Sequence, residues 1–546
     1  MIKKILFIIT PSAPMNEEDV PLDQKPSYYI TQPLGLCYLG GVLLNAGYEV
    51  EIYDPHIEIY ENFQNSRQLK DLINEKIRTS DFDVLGVSAP YIYTYEWAHY
   101  IASKSKEKNK DIPVVIGNGY PSLLPDKALS DKNIDYIIIG EAEISFPKLL
   151  KCFDSAEEPD LEGIDGIGYK KSGRITIEPK RTFITEVDSL PLPAWHLVNV
   201  EKYMSYYKTR RLTMVSSRGC PYSCTFCNSY LSWGRKFRKR SAESVLREIE
   251  YLIDNFKIRD IFFVDDNMTL DKERFMKIAE GIKEKNISWD ICNVSSFGTD
   301  EEMLAAIKDS GGHQISISVE SAAPKILKAM RKPVDLEKTK ILVDACKKLG
   351  LKCRLNYIIG LPYETKEDVY ETLKYSEEVR CDWNMYSILV PYPGTDVYKY
   401  CVEKKYFIED KMDLNKFYQR QVLIENEYWN KEWIKRIVSD YNIKLNFLNN
   451  YNLVSDIKHV DNVIEDLESI IRLIPEHIIA MICLAYAYYR KRDYKKTREF
   501  LIRADELYVK DNIKKSYGKY FECSNEEVIK FYKNWRQNEL LRGLGK

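Results

Sequence analysis

Three cysteines stand close enough along the chain to act on one centre: Cys220, Cys224 and Cys227, within Ser217-Arg-Gly-Cys-Pro-Tyr-Ser-Cys-Thr-Phe-Cys-Asn228. The Cys-x3-Cys-x2-Cys spacing lets a tight loop aim three thiolates at a common point. A closed structural zinc site wants four ligands, and no fourth Cys or His follows at ligand spacing. Three thiolates on a four-iron cluster leave one iron without a protein ligand, and a chelating substrate can take that vacancy. Zinc is the alternative, on the softness of thiolates alone. The other cysteines (Cys37, Cys152, Cys292, Cys346, Cys353, Cys381, Cys401, Cys483 and Cys523) are dispersed and read as small buried hydrophobes.

Polar residues and glycines recur where apolar runs end. In the middle of the chain these are Phe262-Phe-Val-Asp-Asp-Asn267, Ser318-Val-Glu-Ser321, Asn356-Tyr-Ile-Ile-Gly-Leu-Pro-Tyr-Glu364 and Tyr392-Pro-Gly-Thr395. In the first third they are Gln32-Pro-Leu-Gly-Leu-Cys-Tyr-Leu-Gly40, Val87-Ser-Ala-Pro90, Gly117-Asn-Gly119 and Gly140-Glu-Ala-Glu143. Each alone has a plain structural reading: Asp265 and Asp266 as helix caps, Gly-Leu-Pro as a turn. A glycine also lets backbone approach a ligand that a side chain would block.

The elements that must position these groups are legible as patterns. Ile5–Ile9, Glu49–Tyr53, Val84–Val87, Val114–Ile116 and Tyr136–Ile139 are short β-branched runs alternating with amphipathic stretches. That pattern predicts a doubly wound, Rossmann-like α/β sheet over residues 1–165, with ligands at the strand carboxyl ends. Ile164–Lys170 reads as a β-ribbon and Leu190-Pro-Leu-Pro-Ala-Trp195 as an extended crossover, giving a linker over 166–204. Strands predicted at Leu212–Ser216, Asp260–Val264, Trp289–Val294, Gln314–Val319, Lys352–Ile359 and Asn384–Val390 alternate with helices, which suits a partial (β/α)6 barrel over 205–405. Residues 406–546 read as a helical C-terminal domain containing one tetratricopeptide-like unit around Leu484–Ala504, packed as a cap on the barrel.

A net charge of −2 gives no electrostatic footprint for nucleic acid. The basic run Arg235–Arg240 reads as a solvated lead-in to the next helix. Twelve cysteines without a secretory signal argue for a reducing compartment. The opening MIKKILFIITPS reads as a buried first strand rather than a leader. No run approaches the roughly 20 apolar residues of a membrane span. The expectation is a soluble cytoplasmic protein with neither nucleic acid nor membrane as partner.

The cysteine motif, with Phe226 just before its third cysteine, resembles the radical S-adenosylmethionine superfamily over roughly residues 205–400. The resemblance implies a [4Fe–4S] cluster on Cys220, Cys224 and Cys227 whose open iron chelates the methionyl group of S-adenosylmethionine. An electron then breaks the S–C5′ bond to give a 5′-deoxyadenosyl radical. By the same resemblance Phe226, Asp265, Asp266, Asn267, Ser318, Glu320, Ser321, Asn356, Ile358 and Gly360 contact S-adenosylmethionine.

A doubly wound domain ahead of that barrel resembles the cobalamin-binding subfamily. It implies cobalamin contacts at Leu34, Gly35, Ser88, Tyr91, Tyr93, Gly117, Asn118, Gly119, Gly140 and Glu141, with Asn118 standing where the family has a second glycine. Asp54-Pro-His56 lies after the second strand and has Ile59 in place of the glycine of an axial-histidine loop, so His56 is expected in a surface loop. The loop Tyr91–Trp97 is expected to cover the lower corrin face. With only Cys37 and Cys152 in the N-terminal region, the three cysteines that the auxiliary cluster of methylthiotransferases needs are not there, which disfavours that reading.

The implied reaction is methylation of an unactivated carbon or phosphorus: the radical abstracts hydrogen, methylcobalamin donates methyl, and a second S-adenosylmethionine restores it. Two alternatives remain: a cobalamin-dependent rearrangement, ring contraction or cyclisation, and a non-catalytic cobalamin- or S-adenosylmethionine-sensing adaptor. The implied partners are a small-molecule or peptide substrate and an electron donor such as flavodoxin or ferredoxin. No motif names the substrate or a catalytic residue.

Overall fold

The computed structural model describes residues 2–543 except 14, 16–29, 64, 155–160, 172, 208, 410–412, 419–420, 456–459 and 524–525. The N-terminal sheet contains β1 (Lys4–Ile9), β2 (Glu49–Tyr53), β3 (Val84–Ser88), β4 (Val114–Gly117), β5 (Tyr136–Ile138), β6 (Ile167–Lys171) and β7 (Arg174–Ile177). Their order is β2-β1-β3-β4-β5-β6-β7, parallel through β5. A central parallel strand must be apolar on both faces, and β1 shows why this one is. Ile5 and Phe7 pack beneath Leu39, Leu43, Phe146 and Leu149 on one side. Leu6 and Ile8 pack beneath Leu69, Ile73, Trp97 and Ile101 on the other. The chain reverses direction across the sheet between β1 and β3, and that switch point is where such sheets bind ligands. β6 and β7 add antiparallel to β5. Residues 166–177 therefore extend the first sheet rather than opening a linker.

The second sheet holds β8 (Arg211–Met214), then β9 (Ser217–Arg218) and β10 (Arg238–Lys239) as a separate two-stranded ribbon, then β11 (Asp260–Phe263), β12 (Ser288–Val294), β13 (Gly312–Glu320), β14 (Lys352–Ile359) and β15 (Trp383–Ile388). β8, β11, β12, β13, β14 and β15 are parallel neighbours in chain order, an open six-stranded half barrel. Leu212, Ile261, Ile291, Ile315 and Leu355 face the outer helices and join one core. The strand period of two sends Thr213, Phe262, Cys292, Ser316, Ser318, Asn356 and Ile358 to the concave face.

An open sheet has two bare edges, and unpaired backbone groups there invite pairing with other chains. Here each edge is covered by one side-chain amide. Gln32 donates to Arg211 O (2.8 Å) and accepts from Thr213 N (2.7 Å) on β8. Asn446 accepts from Asn384 N (2.7 Å) and donates to Asn384 O (2.7 Å) on β15. Gln32 comes from the N-terminal region and Asn446 from the helical one.

The C-terminal helices surround Ile478–Arg490, whose residues Ile478 to Tyr488 are all buried. A helix apolar on every side is a core helix. With Tyr494–Tyr508 it makes a helical hairpin, and Val460–Leu473 pins the bundle to the barrel through Asp466, which pairs with Lys352 (2.9 Å) and Arg354 (3.2 Å). Among the described residues no helix is long and apolar enough to cross a membrane.

Candidate active site at the cysteine loop

The cysteine loop leaves β9 at Gly219, whose φ of +78° and whose missing Cβ, 2.5 Å from Lys236 O, admit no other residue. Thr225 N bonds Met330 O (3.0 Å) and Val397 N bonds Thr225 O (3.1 Å), so the loop is tied to two barrel segments. Cys220, Cys224 and Cys227 are half-buried free thiols. Burial pushes all three up, Cys227 to about 11, with Lys332 opposing at Cys220 and Cys224. Three thiolates with no fourth Cys or His at ligand spacing fit a [4Fe–4S] cluster with one open iron better than a closed four-ligand zinc site.

Around the thiols the structure gathers Asp266, which accepts from Ser229 Oγ (2.7 Å), and Lys332, which pairs with Glu320 (3.3 Å). Burial would depress the Lys332 ammonium, but Glu320 and the nearby thiol sites hold it above its ordinary value. Glu320 sits at φ +68° to reach this pairing. Ser318 and Asn356 are register partners on the concave face, with Ile358 one step further along β14. Asn267 is buried and accepts from Thr269 Oγ1 (3.3 Å). Phe226 packs against the core that contains Ile359 and Leu361. Gly360, at φ +89°, donates its N–H to Glu364 (2.7 Å), as does Leu361 (3.1 Å).

Two predicted contacts with S-adenosylmethionine are turned elsewhere. The Asp265 carboxylate accepts from Ser216 N (3.0 Å), Ser216 Oγ (2.7 Å) and Ser217 Oγ, and so staples the loop's entry instead of facing the cleft. Ser321 Oγ is paired with Thr372 Oγ1 (3.0 Å) and Ala323 N (3.2 Å). Ser229 and Lys332 were not singled out from sequence, each sitting outside any spaced motif of chemically reactive residues; Glu364 closes the fifth-strand segment from Asn356, but its bonds to Gly360 and Leu361 were not foreseen.

At the first sheet's strand ends, Asn118 (φ +82°) donates to Ser88 Oγ (3.1 Å) between β3 and β4. A Cβ on Gly119 would meet Pro90 O at 2.2 Å, whereas one on Gly35 or Gly117 would meet nothing within 4 Å. Gly35 and Gly117 thus leave the backbone open to approach at the strand ends, and Leu34, next to Gly35 at the start of helix Leu34–Asn45, is buried. Tyr91 and Tyr93 stack at 5.1 Å, and Tyr418 meets Tyr93 edge-on at 6.0 Å. These residues fit a large cofactor.

Glu141 departs from its predicted role. Its carboxylate is held by Arg218 (2.9 Å) and Arg238 (2.8 Å), and Gly140 (φ +69°) gives its N–H to Ser122 Oγ (3.1 Å). His56 is also displaced from expectation: it is buried in the short helix Pro55–Ile59, beside Ser12 Oγ (3.3 Å) and the Phe63 ring, and burial lowers its imidazole to about 4. The basic run corrects likewise, because Arg238 pairs with Glu141 and Arg240 with Glu248, both buried. Strand alternation through β10 turns every second cation inward.

Comparison with known proteins agrees with this geometry. The model of the radical SAM superfamily matches residues 214–376, and that of the B12 binding domain matches residues 25–150. An uncharacterized methyltransferase of Pyrococcus horikoshii is 30% identical over 410 residues, 74% of this chain and 86% of that one. The cytidylyl-2-hydroxyethylphosphonate methyltransferase of Streptomyces wedmorensis is 26% identical, covering 81% and 90% of the two chains. The anaerobic magnesium-protoporphyrin IX monomethyl ester cyclase of Rubrivivax gelatinosus is 27% identical, covering 67% and 66%. The fold is shared with the cobalamin-dependent S-adenosylmethionine radical enzyme OxsB, at a TM-score of 0.64 and 16% identity over 98% of this chain and 84% of that one. A thiol triplet at the mouth of a half barrel, a glycine-bordered cleft on the sheet before it, and these matches place the chain among the cobalamin-binding radical S-adenosylmethionine enzymes.

Proposed function

We propose that the protein methylates an unactivated carbon or phosphorus atom of a small-molecule or peptide substrate in the cytoplasm. The observation that carries this reading is that the two sets of strand ends face one another. Ile92, just past β3, shares a core with Val390, just past β15, and Tyr392 packs on Phe417 beside the Tyr91–Tyr93 stack. A methyl carrier in the first sheet and a hydrogen-abstracting centre in the barrel then serve one cavity. When bound, the cluster supplies the electron that splits S-adenosylmethionine, and cobalamin supplies the transferable methyl group.

The chain's own residues do the rest. Cys220, Cys224 and Cys227 would hold the cluster, and Asp266 and Lys332 beside them would receive the methionyl ammonium and carboxylate. Ser318, Asn356 and Ile358 line the concave face for the nucleoside, and Glu364 fixes the Gly360 and Leu361 amides beneath it. The apolar contacts of Ile92, Val390 and Phe417 keep bulk water from the seam.

The electron comes from outside, from a small acidic carrier such as flavodoxin or ferredoxin. A depression of about 380 Å³ lined by Tyr222, Ser223, Lys328, Arg331 and Lys332 flanks the cysteine loop. Lys328 and Arg331, its exposed cations, suit such a donor.

The test is anaerobic reconstitution followed by turnover with S-adenosylmethionine labelled in its methyl group. Label in the product supports methyl transfer. Product without label, alongside deoxyadenosine, gives the reading to a rearrangement or cyclisation, which the likeness to a cyclase keeps in view.

A further inference from the structure

One buried charge network ties the first sheet to the cysteine loop. Glu141 and Glu143 follow β5, Arg218 lies two residues before Cys220, and Arg238 is Arg218's partner across the β9–β10 ribbon. Arg218 donates to Glu141 (2.9 Å) and to Glu143 (2.7 Å). Arg238 donates through one nitrogen to both Glu141 oxygens (2.8 and 2.9 Å) and to Ile184 O (2.7 Å), and through its other to Trp233 O (2.7 Å). None of the four side chains is more than 7% exposed. The Arg218 guanidinium also lies over the Trp233 ring at 5.1 Å. Both ends of the cysteine loop are thereby gripped by one loop of the other domain.

A buried ion quartet is a weak source of stability, since packed apolar residues can do as well. What guanidinium–carboxylate contacts supply and grease does not is fixed orientation. The grip also continues into the glycine-bordered cleft. Gly140, beside Glu141, donates to Ser122 Oγ (3.1 Å); Ser122 Oγ donates to Asn118 O (2.7 Å); and Asn118 donates to Ser88 Oγ (3.1 Å). An unbroken series of contacts thus runs from the cleft at Ser88 and Asn118 to the residue two before Cys220.

We propose that Glu141, Glu143, Arg218 and Arg238 are positioning residues that couple occupancy of the cobalamin cleft to the hold of the cysteine loop on its cluster. Glu141 acts through the loop and not by touching cobalamin. The inference rests on the cofactor assignment above. Coupling of this kind must be reciprocal: a cleft that steadies Gly140 steadies Cys220, and a loaded cluster tightens the cleft.

The experiment uses the reconstituted full-length chain and follows iron release to a colorimetric chelator, with and without hydroxocobalamin. In the natural chain, cobalamin is expected to slow release by about fivefold or more. Glu141→Gln is expected to lose that slowing and Glu143→Gln to lose a measurable part of it, each variant checked for bound cobalamin by its visible spectrum and for cluster by its iron content. Should Glu141→Gln fail to fold, Glu143→Gln breaks one contact and leaves Glu141 between both arginines. Equal cobalamin-dependent slowing in the natural chain and in variants that retain both cofactors would overturn the proposal, since cobalamin would then merely shield the cluster. Absence of any slowing in the natural chain overturns it as well. A chain that takes up no cobalamin at all overturns the cofactor assignment first, and its spectrum tells the two failures apart.

Discussion

Asp265 and Asp266 are adjacent and identical in type, in the turn that follows β11, yet one staples the loop through Ser216 and Ser217 and the other faces the thiols beside Ser229. Asp265→Asn places an amide NH2 against serine donors, so the variant is expected to retain less than half the iron of the natural chain after anaerobic desalting. Asp266→Asn is expected to keep its iron and raise the KM for S-adenosylmethionine by about tenfold, the size of one charge-assisted hydrogen bond. Glu364 is a second discriminating residue. Burial raises its carboxyl to about 8, against the favourable Gly360 and Leu361 N–H bonds. A carboxyl whose folded pKa lies above its unfolded value binds more protons when folded, so folding weakens as pH rises from roughly 4.5 through 8. Chemical denaturation over that window should show a slope of up to about 1.4 kcal/mol per pH unit that Glu364→Gln removes. An unchanged slope in the variant would assign the pH dependence elsewhere. From sequence the thiol triplet was plain, because its spacing is unusual. Lys332 was not, because a lysine's role depends on the fold that brings it to Glu320.

Elements were legible in proportion to how completely the core dictated them. β1, β3 and β14 read directly from their apolar or alternating runs because both faces or one face are buried over several residues. β9 and β10 span two residues each and carry arginines, a pattern indistinguishable in sequence from a solvated turn. β6 and β7 were visible as a ribbon, but their membership of the first sheet depends on pairing with β5, which no local pattern encodes. The strand-end glycines divide in the same way. Gly119→Ala would press a methyl onto Pro90 O and is expected to cost roughly 1–3 kcal/mol by thermal denaturation. Gly117→Val has room in the apo fold and should leave the melting temperature within a few degrees while abolishing cobalamin uptake, measured by absorbance after gel filtration. If Gly117→Val still takes up cobalamin, the open space beside residue 117 is not its seat.

At the scale of the molecule, two regions close around one half barrel, and the closure uses side chains from both neighbours. Asn446 is wholly buried, and Asn446→Ala would strand the N–H and carbonyl of Asn384. The expected loss is roughly 2–4 kcal/mol in denaturant unfolding. The sequence showed three regions and their order. It did not show that Gln32, read as part of a ligand loop, caps β8 instead, because an amide's partner is set by distant backbone.

The pair of amide seals also governs how this architecture can be divided. A catalytic core that borrows its selvedges from the chain before it and the chain after it is not a removable cartridge. Severed from either flank, it would bare a ready-made strand template to its own copies. Transplanting its radical chemistry onto another scaffold means carrying a glutamine and an asparagine from outside the barrel along with it.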